Sequence, residues 1–480
     1  MRYPLGYFGF LCILTLIGAC GWLMAMPLSH WLVYGVACTF FILYTHVRIC
    51  SWRFVISLAL SLMAACSMIY ECRHSQGKAR HVQGVFRFEK QFRTRDTRIG
   101  GFGQLTLEDG QKLRLYVHAA NRRKTVINDV DYYRFSGYIK PLLNPFKSSQ
   151  NFSFYLWSRF IRWHTSKAQF YPLEVQPPMS WINRCRQTFF NALTTRDATL
   201  SHIYRAILMG KKEGVSKEQL NHFFYTGTMH LFAVSGLHVG VVSAFLFFVG
   251  RLFFFPFCVR WLLTSGGVLL YGTIVGWSPS TLRATLMVGF VLLAQLVARP
   301  VKGVNTFFNT MGLTLLLNPF ELWDVGFQLS YGTVASILCI GVPLSNWYAR
   351  KRHHASNWQL SCIVSFCASA MSSLFSIYYW NLFSPWAFVA NLFLIPLASV
   401  IVVMGMVSWG LYCILPISVT AVEWIAYGCL WVLLKSVDFL EHLPFAICKI
   451  SMTQTLFWTA LFLFMCVTAK PLKGGPLNRK

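Results

Sequence analysis

Long apolar runs separated by short polar stretches dominate the chain, and their lengths set the first expectation. Spans are predicted near residues 5–25, 31–47 and 54–70, then near 231–250, 261–276, 282–298, 305–320, 326–342, 359–380, 385–410, 419–436 and 453–469. Runs of about 17 residues or more reach across roughly 30 Å of hydrocarbon at about 1.5 Å per residue. The pattern predicts a polytopic α-helical membrane protein of about 12 spans. The first run follows Arg2, yet it outlasts a signal-peptide core and two more runs follow at once, which reads as a retained anchor.

Residues 71–180 break this pattern. Gly103 to Leu107 and Lys112 to His118 alternate apolar and polar positions, with Leu113, Leu115 and Val117 on one face. Asp109-Gly110 lies between them, a strong hairpin signal because glycine takes positive φ without steric cost. Val82 to Phe88 and Asp131 to Ile139 read as further strands, and Phe152 to His164 as a short amphipathic helix. A small closed or half-open β-barrel is the economical fold for such a segment. From Trp181 to Met209, the apolar residues Ile182, Phe189, Phe190, Leu193, Leu200, Ile203, Ile207 and Leu208 alternate with Arg184, Arg186, Arg196 and Arg205. Helices of this kind either lie in the membrane interface or pack on their own bundle.

Composition agrees with a bilayer protein. Of 480 residues, 55% are hydrophobic and 12% charged, with a mean hydropathy of +0.49, which excludes an ordinary soluble domain. The formal net charge is nevertheless +27. Part of it marks alternate loops: Arg48 and Arg53, Arg251 and Arg260, Arg299 and Lys302, Arg350 to Arg352, then Lys470, Lys473, Arg479 and Lys480. The loops between them, near 26–30, 277–281, 321–325 and 381–384, hold no Lys or Arg. Because cytoplasmic loops retain Lys and Arg, both termini are expected in the cytoplasm of a bacterial inner membrane, with residues 71–180 outside. That outer segment carries 19 Lys plus Arg against 8 Asp plus Glu. It suits an anionic partner, either nucleic acid or an anionic lipid surface, or else it is a solubilising face without a ligand.

Fifteen cysteines are present, most of them inside apolar runs, where they act as small hydrophobes. Cys72 and Cys185 flank the outer segment, and whether they pair is open at this stage. No Cys and His group has zinc-site spacing, and no Walker-type phosphate loop exists, so neither metal, cofactor nor nucleotide hydrolysis is expected.

The candidate chemistry lies at the heads of the apolar spans. Within Gly210 to Gly240, Thr226, Thr228, His230, Ser235 and His238 stand beside Gly227, Gly236 and Gly240 at the start of a span. Polar, helix-breaking sequence at membrane depth survives inside protein or beside a water-filled cavity, which points to a polar pathway. Ser235 with His238 also has the composition of a nucleophile and base, but no Gly-x-Ser-x-Gly elbow surrounds the serine and no acidic residue stands near to orient the histidine. A structural role, bonding to adjacent helices, is the third reading. Arg283 follows a Ser278-Pro279-Ser280 break, and there it either meets an anion or snorkels to the interface. Gln328, Ser330 and Tyr331 head another span, and Asn391 and Pro396 lie within a later one.

The segments AILMGKKEGVSKEQLNHFFYTGTMHLFAVSGLHVG, WSPSTLRATLM, LLLNPFELWDVGFQLSYGTVAS and SPWAFVANLFLIPLAS, in this order, resemble the ComEC family of competence proteins. The resemblance implies a membrane channel for single-stranded DNA uptake in natural transformation, with an extracytoplasmic domain similar to an OB-fold and NPF at Asn144 to Phe146 near its end. The organisation it implies is N-terminal spans at 1–70, the basic OB-fold-like domain at 71–180, amphipathic helices at 181–225, the competence-type channel domain at 226–470 and a basic cytoplasmic tail at 471–480. The candidate path through the membrane is His230, Ser235, Gly236, His238, Arg283, Gln328, Ser330 and Asn391. OB-folds bind single strands through a cationic groove and aromatic stacking, which nominates Arg87, Lys112, Arg114, Arg122, Arg123 and Lys124 with Phe86, Tyr116, Tyr132 and Tyr133. Expected partners are single-stranded DNA, membrane lipids, a separate DNA receptor, a nuclease and a cytoplasmic ATPase motor. Many family members carry a metallo-β-lactamase-like domain, and no His-x-His-x-Asp-His cluster occurs here, so this chain is expected to act without its own nuclease and not as an enzyme. A transporter of another anionic solute or lipid is the alternative.

Overall fold

The computed structural model describes residues 79–92, 98–120, 132–142, 151–173, 181–352, 356–414, 420–444 and 446–449. The expected spans at 5–25, 31–47, 54–70 and 453–469, Cys72, the NPF at 144–146, the tail, and Arg122, Arg123 and Lys124 lie outside the described residues. The chain forms two compact units, one of residues 1–183 with 308–327 and one of 184–307 with 328–480.

The first unit is built on five strands: β1 (Arg80–Phe92), β2 (Arg98–Leu107), β3 (Lys112–Ala120), β4 (Tyr132–Pro141) and β5 (Trp163–Pro172). They close into a barrel in the order β1-β2-β3-β5-β4, with β4 returning to β1. Every pairing is antiparallel except β3 with β5, where Leu115 faces Trp163 and Val117 faces Thr165. The period-two alternation puts Phe86, Phe88, Leu105, Leu115, Val117, Tyr133, Phe135, Ile139 and Phe170 into one core. The β2–β3 hairpin turns where the sequence predicts: Gly110 has φ of 82°, and the Asp109 carboxylate accepts the Gln111 N–H at 2.9 Å. Gly103 sits where a Cβ would run into the Arg87 carbonyl oxygen, so β1 and β2 approach closely only with glycine there.

Two expectations for this unit need correction. The helix predicted from Phe152 to His164 is shorter, α1 (Asn151–Ser158); a turn follows it, and Trp163 and His164 already belong to β5. Among the side chains of β5 that the structure describes, Thr165 and Phe170 are the buried ones, so its apolar alternation is too dilute to read as a strand. The second correction concerns the run after residue 305, which also serves this unit. Pro319–Trp323 is a short 3-10 turn, entered through Asn318, and Phe320 packs at a tilt against the buried Trp157 of α1 with ring centroids 5.1 Å apart. Asn318 Nδ2 donates to the Ser158 carbonyl at 2.7 Å, and the Arg162 guanidinium lies 4.2 Å from the Trp157 ring. Leu156 and Ile161 pack with Phe102 of the barrel, so α1 links the turn to the strands.

The second unit is helical. Its elements are α2 (Trp181–Ala192, which begins in the first unit), α3 (Ala198–Met209), α4 (Lys217–Tyr225), α5 (Gly236–Leu252), α6 (Phe257–Val275), α7 (Pro279–Leu296), α8 (Gly303–Leu317, whose second half joins the first unit), α9 (Val325–Lys351), α10 (Asn357–Trp380), α11 (Ala387–Ile414) and α12 (Thr420–Glu441). Five of these, α6, α7, α9, α10 and α11, are long and apolar enough to cross a membrane, and α5 is apolar over 17 residues. Local sequence sets their ends. Asp197 caps α3 and Gly210 closes it in the left-handed region; Ser216 with Gln219 and Ser356 with Gln359 form capping boxes on α4 and α10. Helix α9 widens to a π turn at Ile337–Gly341. Of the two readings for 181–209, packing holds: Phe189, Leu193, Leu200, Ile203, Ile207 and Leu208 enter the core that also holds Val242, Tyr271, Leu394 and Leu430.

Candidate polar pathway and nucleic-acid face

In the helical unit, the candidate segment is a capped turn between α4 and α5. Thr226 ends α4, its hydroxyl donating to the His222 carbonyl at 2.9 Å and lying 2.8 Å from the Thr228 hydroxyl. Both threonines are buried and are spent holding the turn, in which Gly227 takes φ of 71°. A Cβ on Gly227 would press on Ala387 of α11 at 2.9 Å. His230 follows on the 3-10 turn Met229–Phe232 with its ring exposed, Nδ1 lying 3.3 Å from the Gly227 carbonyl.

Ser235 and His238 form the cap of α5. The Ser235 N–H donates to His238 Nδ1 at 3.2 Å, and the Ser235 hydroxyl lies 3.0 Å from the same nitrogen. An Nδ1 that accepts from an amide has its proton on Nε2. That Nε2 is buried and has no hydrogen-bond partner among the described residues. The pair therefore satisfies the Ser235 N–H at a helix start, and among the described residues no carboxylate orients the imidazole as a nucleophile's base requires.

The start of α5 packs against α7, where a Cβ on Gly236 would stand 3.8 Å from that of Ala284. Ser278 caps α7 by accepting the Thr281 N–H at 3.2 Å, with Pro279 in the first turn. Next to Ala284, Arg283 is 1% exposed, with its guanidinium 5.5 Å from the Tyr331 ring centroid. It is turned into the protein, which removes the snorkelling reading. Tyr331 also meets Phe307 edge-on at 5.5 Å. Gln328, three residues earlier and on the same face of α9, accepts a hydrogen bond from the Tyr379 hydroxyl of α10. Ser330 is half-buried on α9. Asn391, one turn beyond Ala387, donates to Ser369 at 3.4 Å, and its carbonyl oxygen has no partner among the described residues. The Ser235–His238 cap thus meets α7 at Ala284 beside Arg283, Arg283 meets Tyr331, and Gln328 on the same face of α9 meets Tyr379, while Asn391 lies one turn from the Ala387 that faces Gly227. Tyr379 was missed as a site residue, and Tyr331 was noted at its span's head but left off the path, since aromatics in an apolar run carry no sequence signal of their own.

In the barrel unit, the predicted cations divide. Arg87 donates to Asn183 Oδ1 at 3.0 Å and lies over Tyr132. Arg114 pairs with Glu89 at 3.1 Å and donates to the Arg159 carbonyl at 2.9 Å, whereas Lys112 is exposed. Phe86 and Tyr133 are core residues and leave the candidate face. Tyr116 is half-buried, and burial holds its phenol above the ordinary range. Its ring meets Phe152 of α1 at 5.4 Å, Phe152 stacks on Tyr155 at 5.7 Å, and the Arg159 guanidinium lies 5.2 Å from Tyr155. Phe152 is 41% exposed. This aromatic and basic row on β3 and α1 was hidden in the sequence by the reading of 152–164 as one amphipathic helix. Among the described residues, no group of three or more His, Cys, Asp or Glu side chains is placed to hold a metal ion.

A bundle of apolar helices with a buried arginine among polar span heads, carried in one chain with a small basic-faced barrel, is a multi-helix membrane protein with an inserted β domain. The family described as Competence protein matches residues 207–473, more than half of the chain, and the chain belongs to it. It is similar to ComE operon protein 3 of Bacillus subtilis, 30% identical over 229 residues, covering 46% of this chain and 27% of that protein. Recombination protein 2 of Haemophilus influenzae is 27% identical over 221 residues, covering 44% and 28%. Competence protein ComA of Neisseria gonorrhoeae is 30% identical over 172 residues, covering 34% and 24%. The matched stretch thus spans about a quarter of the length of these relatives. No solved structure matches the chain.

Proposed function

We propose that the chain passes single-stranded DNA across the cytoplasmic membrane during natural transformation. Residues 71–180 receive DNA outside, and the domain at 226–470 conducts one strand along the contacts from Ser235 and His238 to Arg283 and Gln328. The observation that carries this reading is Arg283. A guanidinium turned inward among apolar helices, even where protein groups partner it, marks a substrate or ion route by default, and membership of the competence family supplies the anion. The five-stranded closed barrel supports an OB-fold-like assignment. On such folds the β2–β3 face and the loops flanking the barrel bind oligonucleotides, and here that face carries Lys112, Tyr116 and Phe152. A total of about twelve spans, with both termini in the cytoplasm, belongs to the same proposal through the loop charges. An external DNA receptor and a cytoplasmic ATPase motor complete the system, since the chain lacks a nucleotide-binding loop.

The test is the double variant Ser235→Ala with His238→Ala in a competent host. Loss of DNA entering the cytoplasm, with the protein still in the membrane, is expected. Unchanged uptake removes the pair from the route. A transporter of another anionic solute or lipid would share the buried arginine, but its barrel would not bind single-stranded DNA with a steep salt dependence.

A further inference from the structure

A groove of about 440 Å³ opens between α5, α6 and α7, and the DNA route makes no use of it. Its walls are mostly apolar, with Phe247, Val288 and Leu292 among them; Arg251 and Gln295 lie toward one end, and Thr264 and Ser243 further along. That end is fixed by packing. A Cβ on Gly250 would press on Arg260 at 2.8 Å, which pairs the last turn of α5 with the first of α6. The Trp261 indole N–H donates to the Leu292 carbonyl at 2.9 Å, which brings the end of α7 to the same level. Arg251 and Gln295 line the groove there and are exposed. Among the described residues no carboxylate pairs with Arg251. Arg260 lies 4.9 Å from the Phe247 ring centroid, and its Nε has no partner among the described residues. Arg299 and Lys302 follow in the connection at this end.

One turn deeper, Thr264 lines the groove. It is 1% exposed, and its hydroxyl has no hydrogen-bond partner among the described residues. Four residues of helix place it about 6 Å from the level of Arg260. Cations at the mouth, a buried hydroxyl one turn below without a partner among the described residues, and apolar walls from that level inward are the sequence of groups in a glycerophospholipid: phosphate, ester, acyl chain. We infer that this groove binds an anionic phospholipid of the cytoplasmic leaflet, with its phosphate at Arg251 and Arg260, an ester oxygen at the Thr264 hydroxyl and one acyl chain against Phe247 and Val288. The leaflet follows from the Lys and Arg content of the two connections at that end.

Native mass spectrometry of the purified full chain tests this with phosphatidylglycerol and phosphatidylcholine of equal chain length. Retention of phosphatidylglycerol over phosphatidylcholine is expected, reduced about tenfold by Arg251→Gln, the effect of losing one charge-assisted contact. Ala244→Trp fills the slot from its rim and is expected to abolish retention of both lipids. A second readout does not depend on these variants folding: Phe248→p-benzoylphenylalanine, irradiated in cells, is expected to add the mass of a phospholipid. Equal retention of the two lipids overturns the inference, and so does retention that neither substitution changes. A photoadduct to another stretch of this chain or to another protein overturns it as well, because the groove is then covered by a helix.

Discussion

Replacing Arg283 with glutamine separates a guanidinium that serves the route from one that merely holds helices together. The side chain is 1% exposed, with Tyr331 5.5 Å away as its aromatic neighbour. In a structural role, that cation–π contact contributes about 0.5–2 kcal/mol beside the side chain's other interactions, and Arg283→Gln lowers the amount of folded protein in the membrane as these are lost. In the proposed role, a charge-assisted contact with phosphate contributes about 1.5–3 kcal/mol. At about 1.4 kcal/mol per factor of ten, its loss slows DNA uptake roughly 10- to 150-fold. Arg283→Lys, which keeps the charge but not the planar fork, falls between. The assay is nuclease-protected, labelled DNA inside competent cells, normalised to membrane protein by immunoblot. Uptake by the glutamine variant equal to wild type, at equal protein, refutes the reasoning.

Three further outcomes are expected. Tyr116→Ala and Phe152→Ala each weaken binding of single-stranded DNA by roughly 5- to 150-fold regardless of sequence, the worth of about 1–3 kcal/mol per stacked base, read by fluorescence anisotropy on the full chain. Asn318→Ala strips the Ser158 carbonyl of a buried donor and destabilises the barrel unit by about 1–3 kcal/mol, seen as faster proteolytic cleavage between residues 151 and 173. Burial, reinforced by the charge of Lys140, lowers the His164 pKa. The unfolded chain therefore binds more protons, and stability present above about pH 6.5 is lost as pH falls toward the folded value. His164→Gln flattens that decline in thermal melts taken between about pH 7 and pH 5.

The parts of the fold that read directly from sequence are those set by local rules. Alternation put Leu113, Leu115 and Val117 on one face, and in the barrel Leu115 and Val117 are core with Leu113 packed against them; Asp109-Gly110 marked the hairpin, because pleat and turn chemistry act over a few positions. Strand β5 escaped, since its inward face spends Thr165 and Ala168 where a clear strand would spend larger apolar groups. The docking of Pro319–Trp323 on α1 escaped for another reason: Asn318 meets Ser158 across 160 residues, and an apolar run reads the same whether it faces lipid or a tryptophan. At the candidate site, polar residues at span heads were legible because hydrocarbon makes them expensive. Which of them touch was not: Thr226 and Thr228 are absorbed by their own turn, while Tyr331 and Tyr379 join Arg283 and Gln328 from α9 and α10. Charge counting likewise selected Arg114 without revealing that Glu89 neutralises it.

The central claim, that this chain acts where DNA crosses the membrane, is tested most directly by deleting its gene in a competent host. Transformation frequency and DNA bound at the cell surface are then measured together, with and without complementation. Transformants are expected to be lost while surface-bound DNA stays at the wild-type level, and complementation to restore them. Wild-type transformation frequency in the deletion strain would contradict the claim.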